Sequence, residues 1–99
     1  MPELLFDIET SGLDPFADRI IALGYKIERT NKVLDGDERE ILTAFAMSLK
    51  KVDLVVGYNI QEFDIPFIKV RCVKYGLGIE FPPAVDIAKL FPYRKRLED

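Results

Sequence analysis

The 99 residues predict an α/β domain on a mixed sheet, in the order β-β-β-α-β-α-β. Three observations carry this prediction. The first third of the chain holds apolar, β-branched runs separated by turn-forming residues. Two later segments place apolar residues at helical spacing. A short apolar run separates those segments and another follows them, so the later strands reach the sheet through helical crossovers.

Glu3 to Glu9 reads as the first strand. Ser11-Gly12-Leu13-Asp14-Pro15 supplies the turn residues that end it. Arg19 to Glu28 is apolar and β-branched and reads as the second strand. Thr30-Asn31-Lys32 reads as a hairpin turn leading into a short third strand, Lys32 to Leu34. Asp37 can cap the first helix, and Glu40 three residues later completes a capping-box pattern. Ile41, Leu42, Phe45 and Leu49 then recur on one helical face. Asp53 to Tyr58 is a fourth strand, expected parallel to the first. Asp64-Ile65-Pro66 opens the second helix, with Pro66 in the first turn, where its missing N–H costs nothing. Asp64 also reads as that helix's N-cap. The helix runs to about Tyr75 and stops at Gly76. Ala84 to Ile87 is the last strand, and the tail Tyr93-Arg94-Lys95-Arg96 is basic.

Ninety-nine residues imply one domain, 1–99, with a modest core. The net charge of −3 gives no global electrostatic footprint for nucleic acid, so phosphate contacts must come from a local patch or a metal. No apolar stretch approaches a membrane span, and no basic segment precedes the first apolar run as in a signal peptide. The lone Cys72 cannot form an internal disulfide, which fits a reducing, cytoplasmic setting. It reads as a small buried hydrophobe. The chain has no histidine, which excludes histidine general bases, histidine-ligated zinc and serine–histidine triads. Chemistry must run on carboxylates, tyrosines, lysines or metal ions.

Asp7 and Glu9 alternate with apolar residues in Leu4-Leu5-Phe6-Asp7-Ile8-Glu9, so in a strand they share one face. Two like charges on a buried-looking strand repel, and burial strengthens the repulsion. A divalent cation relieves it. Asp64 lies just past the fourth strand, and sites in α/β sheets form at the carboxyl ends of strands. It can therefore face Asp7 and Glu9. Three carboxylates without histidine suit Mg²⁺ or Mn²⁺ better than zinc. Two such ions about 4 Å apart are a recurring device for phosphodiester cleavage. Each residue also has a plainer reading. Asp7 and Glu9 suit a solvated edge strand, Asp86 a turn or cap, Asn59 a loop, and Phe63 and Phe67 the core. Lys69, Arg71 and Lys74 suit a solvated helix face.

FDIETSGLDPFADRI, residues 6–20, resembles the first motif of the DEDD superfamily of 3′–5′ exonucleases. GYNIQEFDIPFIKVRCVKYG, residues 57–76, resembles the second. The pattern is most similar to the proofreading exonuclease domain of family B DNA polymerases and its stand-alone relatives, whose fold is ribonuclease-H-like. The resemblance covers nearly the whole chain. It implies that Asp7 bridges two metal ions, Glu9 holds the ion that activates water, and Asp64 helps hold the other. It also implies that Thr10 meets the terminal nucleotide through its backbone. Asn59 and Phe63 line the substrate cleft, and Asp86 supports the site without being a ligand. The implied substrate is the 3′ end of single-stranded DNA, or RNA.

The same resemblance calls for a fourth acid on a later helix, in the pattern Tyr-x-x-x-Asp. Four residues beyond Tyr25, Tyr58, Tyr75 and Tyr93 stand Arg29, Glu62, Ile79 and Leu97, so the pattern is absent. The expectation is an exonuclease domain truncated before its third motif, lacking the C-terminal helix and weakly active or inactive alone. Two readings stay open: a metal-dependent exonuclease, and a catalytically dead nucleic-acid-binding or assembly module. In the second, a partner or a second copy in a homodimer supplies the missing helix.

Overall fold

The computed structural model describes residues 2–90. The basic tail and Phe91 lie outside the described residues. The strands are β1 (Glu3–Thr10), β2 (Ile20–Ile27), β3 (Thr30–Asp35), β4 (Leu54–Gly57) and β5 (Ala84–Asp86). They form one sheet in the order β3-β2-β1-β4-β5. β2 runs antiparallel to both β1 and β3, whereas β4 runs parallel to β1 and β5. The helices are α1 (Glu38–Leu49), α2 (Ile65–Lys74) and the short α3 (Ile87–Leu90), which the sequence did not suggest. The expected order and the parallel β1–β4 pair are both present.

β1 alternates strictly. Leu4, Phe6 and Ile8 are buried, while Leu5, Asp7 and Glu9 are exposed. The buried set joins Ile41, Leu42, Phe45 and Leu49 of α1 and Phe67, Ile68 and Cys72 of α2 in one core, so both helices cover the same sheet face. Phe6 and Phe45 meet with ring centroids 5.1 Å apart. The opposite face keeps Leu5 41% exposed and Val33 72% exposed. The acid pair therefore lies on the open face and not on a buried one. The run Leu4-Leu5 hid this, because both residues are apolar and only one is needed inside.

Two other expectations shift. The β2–β3 turn falls at Glu28-Arg29, with Ile27 paired to Thr30 and Glu28 left-handed at φ 53°. This register sets buried Leu23 opposite Leu34, and a one-residue slip would turn Leu34 away from the core. The second helical segment also starts earlier than expected. A single π-helical turn, Ile60–Asp64, precedes α2, and the Ile65 N–H donates to the Ile60 carbonyl. Pro66 follows immediately; it has no N–H to give and its ring crowds the carbonyl four residues back, so the preceding turn is wide. α1 is capped as expected, with the Glu40 N–H donating to Asp37 Oδ2 at 3.1 Å.

Candidate active site

β1 pairs with β4 only through Glu3, Leu4 and Leu5. β4 ends at Gly57, and the chain turns away to start the π-helical turn. A Cβ on Gly57 would lie 2.9 Å from the Phe6 carbonyl oxygen and would collide with Ile60, so only glycine allows this close departure. Beyond it the two parallel strands part, and the carboxyl ends of parallel strands are where α/β sheets place ligands.

Asp64 lies against β1 beside this opening. It is 3% exposed, and its Oδ2 accepts the Ile8 N–H at 3.0 Å. It does not cap α2, because no side-chain cap bond is made and its backbone is already helical. The carboxylate points back to β1, between the two acids of the first motif in sequence. Burial pushes its pKa up from 3.8 to about 6. The Ile8 N–H opposes the rise, while the charges of Asp7 and Asp86 add to it. Asp7 and Asp64 are thus electrostatically coupled.

Glu9 stands two residues beyond Asp7 on the same open face. The β1–β2 register then slips between Glu9 and Thr10, an irregularity of the kind that re-aims side chains beside sites. Thr10 is half-buried, and its hydroxyl donates to the Gly12 carbonyl at 2.6 Å. Among the described residues, no group of three or more His, Cys, Asp or Glu side chains is arranged to hold a metal ion. The sequence pointed to three converging carboxylates. In the structure, Asp7 and Asp64 are coupled, with Glu9 alongside Asp7 on β1.

Asn59 is exposed just before the π-helical turn, with a left-handed backbone, φ 61° and ψ 25°. Phe63 is half-buried against the core, 5.4 Å from Phe67 between ring centroids. Asp86 is 4% exposed and accepts N–H bonds from Asn59, Gln61 and Ala88. Burial pushes its pKa up, but the three N–H donors outweigh it and hold the group below the usual carboxylate range.

Sequence reasoning missed the cluster beneath the loop that follows Thr10. Glu38, at the start of α1, is buried. Its Oε2 accepts the Ile20 N–H at 2.7 Å and Arg71 Nε at 2.9 Å; its Oε1 accepts Arg71 Nη2 and the Tyr75 hydroxyl, each at 2.7 Å. Arg71 also donates to the Pro15 carbonyl at 3.3 Å. Arg71 is therefore buried and paired, not part of a solvated face. Burial raises the Glu38 pKa, but Arg71 and the other donors outweigh it and the net shift is downward. The pairs are 33 and 37 residues apart in sequence. The available signal was Arg71 standing between Val70 and Cys72. Cys72 is buried as expected, and burial pushes its thiol up to about 11.

A family model of the RNase_H superfamily matches residues 4–99. An uncharacterized protein of Methanocaldococcus jannaschii is 35% identical over 83 residues, covering 81% of this chain and 47% of the relative. A DNA polymerase of Archaeoglobus fulgidus is 32% identical over 84 residues, covering 78% of this chain and 11% of the polymerase. The solved family B DNA polymerase of the hyperthermophilic archaeon Pyrobaculum calidifontis shares the fold, with a TM-score of 0.83 at 22% identity. That match covers 95% of this chain and 16% of the polymerase chain. The chain thus spans about half the length of the first relative and a small part of either polymerase.

Proposed function

The chain belongs to the RNase_H superfamily, and from that premise we propose that it shortens a nucleic-acid strand from its 3′ end with divalent metal ions held by Asp7, Glu9 and Asp64. Its fold and its kinship with DNA polymerases agree with the DEDD-type exonuclease resemblance of its two motifs. One observation carries the reading. Asp64 is buried beside the charge of Asp7, and among the described residues the only ion pair is Arg71–Glu38, so no cation among those residues is paired with the two acids. A carboxylate held that way is a site candidate by its electrostatics. The donors are hard oxygens, which fit Mg²⁺ or Mn²⁺.

Asp7, Glu9 and Asp64 would hold the metal, which when bound supplies an activated water and neutralises charge on the scissile phosphate. The protein's own residues do the rest. Asp64 is fixed by the Ile8 N–H and arrives preorganised. Asp7 and Glu9 face solvent and are open to a strand. Asn59 is exposed and would be free to meet the strand, with Thr10 and Phe63 bordering the place for the terminal nucleotide. Single-stranded DNA is the substrate we favour, with RNA as the alternative. Among the described residues no helix is long and apolar enough to cross a membrane.

The test is calorimetric titration with Mn²⁺ of the wild type, Asp7→Ala and Asp64→Asn, followed by incubation with 5′-labelled single-stranded DNA and RNA. Weak binding that both substitutions remove, with slow shortening from the 3′ end lost in Glu9→Ala, is the expected result. Equal Mn²⁺ binding by all three proteins overturns the site. The second reading is a nucleic-acid-binding module without turnover. Strand binding without shortening at any metal concentration would select it.

A further inference from the structure

We propose that Asp86 is a positioning residue, whose carboxylate grips the backbone between β4 and α2 and so holds Asn59 in place for a nucleic-acid strand. This rests on the reading of the acidic site given above. Asp86 Oδ1 accepts the Asn59 N–H at 2.7 Å and the Ala88 N–H at 3.0 Å, and Oδ2 accepts the Gln61 N–H at 3.0 Å. The bond to Ala88 is an ordinary cap on the short helix α3, two residues on. The other two reach back 27 and 25 residues, to the turn that carries the second motif. A cap alone needs neither of them. With three donors on two buried oxygens, Asp86 is committed to the backbone and is not free to take the place of a fourth metal ligand.

The grip falls where the backbone most needs it. Asn59 is one of two non-glycine residues with positive φ among the described residues. Such a conformation persists when its surroundings over-determine it. From Asn59 the chain runs as one hydrogen-bonded piece. The Phe63 N–H donates to the Asn59 carbonyl at 3.1 Å, and the Ile65 N–H donates to that of Ile60. The piece ends at Asp64, pinned on the Ile8 N–H. It therefore has two anchors, Asp86 at the start and Ile8 at the end. Loss of Asp86 releases Asn59 while Asp64 stays tied to β1.

That asymmetry gives a test which a general loss of structure would not reproduce. Asp86→Asn keeps the shape but turns one acceptor toward a backbone N–H as a donor. Two affinities are measured: Mn²⁺ by calorimetry, and a fluorescein-labelled single-stranded oligodeoxynucleotide by anisotropy with Ca²⁺ in place of Mn²⁺. The expected result is oligonucleotide binding weakened about tenfold, as for loss of one charged hydrogen bond, with Mn²⁺ binding changed less than about threefold, since Asp86 reaches the metal site only through its charge on Asp64. Asp86→Glu, which retains both acceptor oxygens, recovers most of the strand affinity. Unchanged strand binding in Asp86→Asn, or an equal fall in both affinities, overturns the proposal alone. A wild type that binds neither Mn²⁺ nor oligonucleotide overturns the site and the proposal together. If Asp86→Asn loses its cooperative unfolding transition, amide exchange in the wild type decides. Asn59 and Gln61 amides protected like core amides support the grip, and exchange at free-loop rates overturns it.

Discussion

Replacing Asp64 with asparagine should stabilise the protein at neutral pH while destroying its metal site. Asparagine keeps an acceptor for the Ile8 N–H, so the 3.0 Å bond survives and only the charge is lost. Burial and the neighbouring charge of Asp7 raise the Asp64 pKa from 3.8 to about 6. At about 1.36 kcal/mol per pH unit, ionising Asp64 in the folded state costs about 3 kcal/mol relative to the unfolded chain. Relaxation of the site recovers part of this, which leaves about 2 kcal/mol, or roughly 8–16 °C in Tm for a domain of this size. The folded pKa is the higher one, so the folded state binds the extra proton between about pH 4 and 6. The wild type is therefore unpenalised below about pH 4 and loses stability as pH rises through about 6. Asp64→Asn does not. The Tm difference between the two proteins should open across that window and stay constant above it. Glu38 titrates in both proteins and cancels from the difference. Mn²⁺ at a hundred times its Kd should then add about 2.7 kcal/mol to the wild type and nothing to Asp64→Asn, closing the gap. The assay is thermal unfolding from pH 3.5 to 8, with and without Mn²⁺. A variant less stable than wild type at pH 7.5, or a gap independent of pH, would show that burial of the Asp64 charge costs the fold nothing.

Arg71→Met leaves Glu38 as a buried unpaired charge and should lower unfolding free energy in urea by about 3–5 kcal/mol, with Glu38→Leu in the same chain restoring most of it. If the double variant is no better than the single, the loss comes from packing and not from the stranded carboxylate. Gly57→Ala should destabilise by about 1–3 kcal/mol, because its Cβ meets backbone at the Phe6 carbonyl and backbone cannot step aside; a neutral effect in urea denaturation would mean that β4 leaves the sheet less tightly than described. Among the described residues the sheet face bearing Leu5 and Val33 is uncovered, and such patches mark interaction surfaces. Light scattering at micromolar concentration should show self-association, and a clean monomer that binds no hydrophobic dye would show otherwise.

The elements that the sequence makes legible are those with a strong local period. β1 and α1 are visible because Leu4, Phe6 and Ile8 alternate and Ile41, Leu42, Phe45 and Leu49 recur, and the structure buries all seven. The features that stay hidden are set by partners distant in the chain. The β2–β3 turn sits at Glu28-Arg29 because the pairing of Leu23 with Leu34 fixes the register, although Thr30-Asn31-Lys32 has the better turn residues. Pro66 marked a helix start by its own rule, but the wide turn before it carries the helix back to Ile60. The flanking Val70 and Cys72 hint that Arg71 turns inward, but its partner Glu38 lies 33 residues away and has no local signature. Asp86 was visible as a residue, but its bonds to Asn59 and Gln61 depend on β5 lying beside β4.

The three buried acids among the described residues differ in how well the fold accommodates them. Glu38 is met by a guanidinium, a hydroxyl and a backbone N–H, and its pKa falls. Asp86 is met by three backbone N–H groups, and its pKa falls as well. Both are carboxylates that the folded chain stabilises in the charged state, as a structural acid should be. Asp64 is as deeply buried as either, yet it receives one β1 amide, faces two like charges, and its pKa rises. A fold selected for stability alone would place a neutral amide or an apolar residue there. A misfit of this kind is expected where function overrides stability. In the proposed reading, a hard cation held by Asp64 and the FDIET acids of β1 would turn that repulsion into binding.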